Sequence, residues 1–238
     1  MTLPPLDAQR EFWDSWNQSW RFRDGFDEFM DRQREIALQC AERVGLRNAK
    51  ILEIGCGTGW LANTLVPFGQ VTATDLSPSS IAEGRRRHPE VTLICGDFST
   101  VELSGPFDFI VSADALAHMY DQRLFIERIA QLLRPGGTFL LMTQNPPIWA
   151  RRSKMKPLGT GQIQIWPDLA QIKALLAPDF SVERVTSIVP GGDKGVLWWV
   201  ENRYVRGGMR RLFGKRRWNA LLEGLRLGRE LVIVSRRR

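Results

Sequence analysis

The feature that most constrains this chain is the run Glu53-Ile54-Gly55-Cys56-Gly57-Thr58-Gly59, which closes the short apolar stretch 50–54. Three glycines within five residues let the backbone turn sharply and let a ligand approach it closely. A helix that starts directly after such a turn presents unpaired N–H groups and the positive end of its dipole. Units of this kind build open parallel sheets, whose ligands sit beyond the carboxyl ends of the strands. The loop alone does not choose a ligand. Gly57-x-Gly59-x-x-Ala62 also satisfies the dinucleotide fingerprint, and a strand-to-helix turn that binds nothing could use the same residues.

The rest of the chain is organised to match. Short apolar runs at 50–54, 71–75, 91–95, 107–111 and 138–143 read as buried strands, with helix-like segments between most of them. Strand alternating with helix predicts an α/β fold with a doubly wound, mostly parallel sheet covered on both faces. Ahead of it, Phe12, Trp13, Trp16 and Trp20 fall at helical spacing until Asp24-Gly25 breaks the pattern. A second helix carries Phe29, Ile36, Ala37, Cys40 and Val44 on one face. Beyond the fifth strand we expect a loop at 146–161, a helix at 168–177, a sixth strand at 182–189, an insertion at 191–228 and a seventh strand at 230–235. The insertion reads as two helices joined by a turn at 214–217, with apolar stripes formed by Val205, Met209, Leu212 and Phe213 and by Trp218, Leu221, Leu222 and Leu225. The expected organisation is one domain over 1–238: N-terminal helices acting as a lid (1–45), a cofactor-binding core (46–190), a helical cap (191–229), then the last strand and tail (230–238).

Several strand ends carry chemistry. Asp75 closes the second strand, where a carboxylate can accept protons from both hydroxyls of a ribose; it could equally cap the helix from Ser77. Asp97 and Phe98 close the third, an acid beside an aromatic, which suits the amine and face of an adenine. Leu133-Arg134-Pro135-Gly136-Gly137 is a turn ahead of the fifth strand.

Taken together, Glu-x-Gly-x-Gly-x-Gly at 53–59, Asp75, Gly-Asp at 96–97, Phe-Asp-x-Ile at 107–110 and Leu-Arg-Pro-Gly-Gly at 133–137 resemble the class I, Rossmann-like S-adenosylmethionine-dependent methyltransferases, in particular their type-11 and quinone-methylating small-molecule branch. The resemblance spans 51–142, about half of the chain. It implies seven strands with the last antiparallel, and S-adenosyl-L-methionine as cofactor. It places Glu53 near the methionine amino group and Gly55, Cys56, Gly57 and Gly59 along the cofactor loop. Asp75 with Leu76 falls at the ribose, Asp97 and Phe98 at the adenine, and Ala113 and Asp114 at the methionine and substrate. Asn145-Pro146-Pro147 looks like the signature of amino-group methylating enzymes, but that signature follows the fourth strand; here it follows the fifth, so it reads as loop punctuation.

The remaining candidates are read from the residues alone. His118, after the fourth strand, is the candidate general base; a packed or capping histidine is the plainer alternative. Trp13 and Trp16 would face the substrate from the lid, and Trp198, Trp199 and Arg203 from the cap. The net charge of +7 is uneven: residues 191–238 hold 13 Lys/Arg against 4 Asp/Glu, while 1–190 hold 20 against 22. A basic cap could serve an anionic substrate, a membrane surface or RNA, or be merely solvated. A membrane role would need an apolar face left free, and the expectation is that the sheet occupies it. No run approaches the roughly 18 apolar residues of a membrane span, and residues 1–14 lack a signal pattern, so a cytoplasmic chain is expected. Three widely spaced cysteines, Cys40, Cys56 and Cys95, read as free thiols, and two histidines make a zinc site unexpected, so no metal is assigned. The expected activity is methyl transfer to the oxygen, less readily the nitrogen, of a small and partly aromatic metabolite. Rival readings are an RNA methyltransferase and a non-catalytic protein of the same fold.

Overall fold

The computed structural model describes residues 3–20, 28–151, 161–191 and 194–238. The expected break at Asp24-Gly25, the loop stretch 152–160 and the side chain of Trp20 lie outside the described residues. Seven strands form one sheet: β1 (Ala49–Ile54), β2 (Gly69–Asp75), β3 (Thr92–Cys95), β4 (Phe107–Ala113), β5 (Leu133–Gln144), β6 (Phe180–Pro190) and β7 (Gly228–Arg237), in the order β3-β2-β1-β4-β5-β7-β6. The first five pair in parallel, and β7 runs antiparallel between β5 and β6. The order reverses between β1 and β4, so a crevice opens there at the carboxyl ends. Because β7 is antiparallel, its Glu230, opposite Gln144 of β5, comes to the same end of the sheet.

The central strands β1, β4 and β5 are mostly apolar because both faces of the sheet are covered there. On one face pack α2 (Glu28–Arg43), α3 (Trp60–Leu65) and α4 (Pro78–Arg87), through Ile36, Ala37, Cys40, Leu61, Leu65 and Ile81. On the other pack α5 (Gln122–Leu132) and α7 (Leu169–Leu176), through Phe125, Ile126, Ile129, Ile172 and Leu176. Each buried Leu, Ile or Phe among them contributes about 1.5–3 kcal/mol. Helix starts follow local chemistry. Ser77 caps α4 ahead of Pro78, Asp121 caps α5, and Asp168 with Gln171 forms a reciprocal capping box on α7.

Helix α1 (Leu6–Trp20) is tied to α4 by Asp14, whose Oδ1 accepts from Ser77 Oγ (2.6 Å) and Ser79 N (2.9 Å). Burial alone would raise the Asp14 pKa, but these hydrogen bonds outweigh it and hold the carboxyl below its ordinary value.

Three expectations need correction. The stretch after β5 is not all loop: α6 (Pro146–Trp149) forms at once, because Pro146 and Pro147 open a helical turn at no cost in hydrogen bonds. Leu133-Arg134-Pro135-Gly136-Gly137 does not precede β5 but lies within its span, with Leu133 pairing to Phe107 and a register irregularity absorbing the turn. The insertion holds three helices, not two: α8 (Val196–Glu201), α9 (Arg203–Phe213) and α10 (Lys215–Gly224). Asn202 ends α8 and caps α9 with its side chain on Tyr204 N (2.9 Å). Gly214 alone, at φ 79°, separates α9 from α10, so the expected turn at 214–217 shrinks to one residue.

Candidate functional site

A cavity of about 940 Å³ opens at the carboxyl ends of β1 to β5. The glycine loop forms its floor. Gly55 has φ 74°, and a Cβ there would meet the Ala115 Cβ at 2.7 Å. Gly57 has φ 56° and nothing within 4 Å of where a Cβ would stand, which leaves open room against the backbone. Asp75 holds this loop in place: one carboxylate oxygen accepts from Gly57 N (2.7 Å) and the other from Ser77 N (2.9 Å). Each oxygen keeps further acceptor capacity. Buried Glu53 lies at the cavity, near the crevice between β1 and β4.

Across the floor, Asp97 accepts from Ser99 N (3.0 Å) and Ser99 Oγ (2.5 Å). Phe98 is clamped between Phe125, edge-on at 5.2 Å, and the Arg128 guanidinium at 5.3 Å. Arg128 is itself fixed by the carbonyls of Ser99 and Val101. Acid and ring are thus rigid before any ligand arrives. Cys56 is buried, and burial, with Asp75 and Glu53 adding negative charge, pushes its thiol well above the ordinary range. It acts as a small apolar group, not as a nucleophile. All three cysteines are free thiols.

The other half of the cavity is aromatic and amide-lined. His118 Nδ1 lies 2.7 Å from the Ile163 carbonyl. A carbonyl only accepts, so Nδ1 carries the proton and Nε2 keeps its lone pair. Burial lowers the His118 pKa below 6.5, although the bond to Ile163 pulls the other way. Trp13 packs edge-on against the imidazole at 4.5 Å, and Trp149 meets Trp166 at 5.6 Å. Asp114, at φ 60°, is turned by the end of β4 so that its oxygens accept from Gln144 Nε2 (2.8 Å) and Gln33 Nε2 (3.0 Å). Gln33 Nε2 also donates to Glu230 Oε1 (2.8 Å), which bridges β4, β7 and α2.

The cavity therefore gathers Glu53, Gly55, Cys56, Gly57, Asp75, Leu76, Asp97, Phe98, Ala113, Asp114, His118, Trp13 and Trp16 from segments far apart in sequence. Gly59 is not at its surface. With φ 77° it starts α3, and a Cβ there would press on Leu93 at 3.1 Å. Trp198, Trp199 and Arg203 do not line it either. The insertion docks through Trp218 and Leu222 of α10 onto β6, not over the cavity mouth, and leaves both tryptophans exposed. Asn145 is structural: its side-chain amide donates to the Arg226 and Gly228 carbonyls and secures the entry to β7. Residues missed from sequence are Gln33, Gln144, Trp149 and Trp166. Gln33 left one signal, since it falls on the apolar stripe of Phe29, Ile36, Ala37 and Cys40, where a glutamine has no packing reason to be.

The fold and this site define the Rossmann-like methyltransferase class. Residues 51–137 match the family model described as a methyltransferase domain. These residues form a methyltransferase domain, carried on a Rossmann-like seven-stranded sheet. It is 35% identical over 113 residues to a ubiquinone biosynthesis O-methyltransferase of Xanthomonas campestris pv. campestris, covering 44% of this chain and 47% of that protein. It is 31% identical over 127 residues to a malonyl-[acyl-carrier protein] O-methyltransferase of Priestia megaterium, covering 50% and 46%. The chain spans about half the length of the curated relatives it matches. The N-methyltransferase NodS of Bradyrhizobium japonicum, solved with S-adenosyl-L-homocysteine, superposes with a TM-score of 0.64 at 15% identity, over 98% of this chain and 97% of that one.

Proposed function

We propose that the protein transfers a methyl group from S-adenosyl-L-methionine to the oxygen of a small acceptor with a flat, partly aromatic body. The observation that carries this reading is that one cavity holds both a nucleoside-type donor set and an oriented, neutral imidazole. The residues fit the cofactor. Gly57 leaves space for it against the backbone, Asp75 offers acceptor capacity to the ribose hydroxyls, Asp97 and Phe98 match an adenine edge and face, and Glu53 offers a carboxylate to an ammonium. When bound, S-adenosylmethionine supplies an electrophilic methyl group on a sulfonium.

This chain's own residues then have three tasks. The glycine loop and Asp75 set position, and alignment alone is worth about 7–11 kcal/mol in a displacement. Trp13, Trp149 and Trp166 hold the flat acceptor and keep water out. His118 Nε2 would accept the hydroxyl proton of the acceptor, a contribution of roughly 10²–10⁴-fold. The Ile163 carbonyl holds the tautomer that makes this possible. Both relatives named above are O-methyltransferases, which agrees with an acceptor that must lose a proton.

Calorimetry with S-adenosylmethionine, followed by turnover on a panel of phenols, carboxylic acids and amines, tests this reading. Wild type should bind the cofactor, Asp75→Ala should not, and turnover should favour hydroxyl acceptors. Binding of a nicotinamide dinucleotide in place of S-adenosylmethionine would sink the proposal. A preference for amines would restrict it to methyl transfer without the oxygen acceptor.

A further inference from the structure

Helix α9 is the anomaly of the molecule. None of its eleven residues is buried. At 100° per residue, Val205, Met209, Leu212 and Phe213 fall within one arc, with Arg206 at its edge and Arg203, Arg210 and Arg211 on the rest of the helix. The usual arrangement would turn the apolar arc inward. Here one contact with α10 comes from the basic side, where Arg210 Nη2 donates to Asn219 Oδ1 (3.3 Å), and Leu212 is left 77% exposed. The neighbouring helices add to the same surface. Trp199 of α8 is 66% exposed and Leu225, after α10, 61%. Of the thirteen large hydrophobic residues exposed among those described, eight lie between positions 198 and 225. Gly207 and Gly208 sit mid-helix with open space around them, so neither propensity nor burial explains why α9 is a helix. It needs a surface that the described residues do not provide.

The charge says which surface. Between positions 203 and 217 there are seven Lys/Arg and no Asp/Glu. A second copy of the chain would set this cluster against itself across a two-fold axis. RNA would use the cations but has no use for Val205, Met209 and Leu212 in aliphatic contact, and the exposed ring of Tyr204 is already engaged by the Arg203 guanidinium at 4.7 Å. An apolar stripe of Leu and Phe with tryptophans beside it and arginines along its flanks matches the boundary between acyl chains and anionic headgroups. We infer that α8–α10 form an interfacial anchor that lays this protein on anionic lipid bilayers. No helix among the described residues is long and apolar enough to cross a membrane, so the contact is peripheral. It also lies one helix from the cavity. Glu223 of α10 accepts from both Arg32 Nε (3.1 Å) and Arg32 Nη2 (2.6 Å) of α2, and the next residue, Gln33, lines the cavity. The inference does not depend on the activity proposed above.

Vesicle flotation tests it, using the full chain with phosphatidylcholine vesicles that contain or lack phosphatidylserine. The protein should float with the anionic vesicles, weakly or not at all with phosphatidylcholine alone, and less as salt rises. Leu212→Asn with Phe213→Asn should reduce partitioning about tenfold or more at fixed salt, and so should Arg211→Glu with Arg216→Glu. All four positions are exposed and outside the cavity. Calorimetric binding of S-adenosylhomocysteine and the circular dichroism spectrum should therefore be unchanged in both variants. Three outcomes would overturn the anchor: no flotation with either vesicle; equal flotation with both; or salt-dependent RNA retention lost in the charge variant but kept in the Leu212/Phe213 variant. Light scattering that shows a dimer broken by Leu212→Asn with Phe213→Asn, without flotation, would assign the face to a second copy instead.

Discussion

At the scale of single residues the imidazole of His118 carries the sharpest consequence. Burial lowers its pKa below 6.5, so the ring is neutral and able to accept a proton at pH 7. Turnover should therefore hold down to about pH 6.5 and fall as pH drops through the lowered value; a stopped assay across pH 5–8 measures this limb. His118→Ala should lower turnover by about 10²-fold or more and leave cofactor affinity within a few-fold. Stability follows the same sign. The unfolded chain binds the proton more readily than the folded one, so this group's contribution is present above pH 6.5 and lost as pH falls below it. Gly55→Ala is the complementary case: a positive φ and a 2.7 Å approach to Ala115 should cost cofactor affinity together with stability. The residues on the glycine-loop side of the cavity were legible in sequence because a glycine loop and strand-end acids keep fixed spacing along the chain. The acceptor side was legible only in Trp13, Trp16, Asp114 and His118. Trp149, Trp166 and Gln144 reach the cavity through tertiary packing that no local spacing encodes.

At the scale of elements, two cross-links decide how the peripheral helices sit. Asp14 joins α1 to the start of α4, and its carboxyl is held below the ordinary value, so the link is complete above about pH 4 and is lost as pH falls through that range. Asp14→Ala should cost about 1 kcal/mol in urea unfolding and raise the Michaelis constant for the acceptor, because α1 carries Trp13 and Trp16 into the cavity wall. The second link is Arg32 to the nearly buried Glu223. Arg32→Met leaves that carboxylate without its guanidinium and should lower stability by about 2–4 kcal/mol, several degrees in melting temperature. The periodicity of α2, α7 and the seven strands could be read from apolar spacing, since those elements are placed by the core. The insertion could not. Its stripes were expected to bury themselves against the sheet. Only the stripe of Trp218 and Leu222 does so, because α10 packs on β6 while no residue of α9 is buried.

At the scale of the whole molecule, the parallel sheet, its helix layers and the antiparallel seventh strand follow the expected plan, because the strand-helix alternation and a final isolated apolar run leave few topologies that obey the connection rules. The order of that sheet has a consequence for biosynthesis. Strand β6 pairs with β7 alone, and β7 is also what joins it to β5. The β7 ladders run through Arg236 and Arg237, and Arg238 N donates to the Asp179 carbonyl just ahead of β6. Before β7 is made, the chain can pair only its first five strands, which leaves β5 as an open edge and β6 without a strand partner. Folding cannot finish during elongation of the first six strands; it waits for the last ten residues of the ladder to clear the exit tunnel.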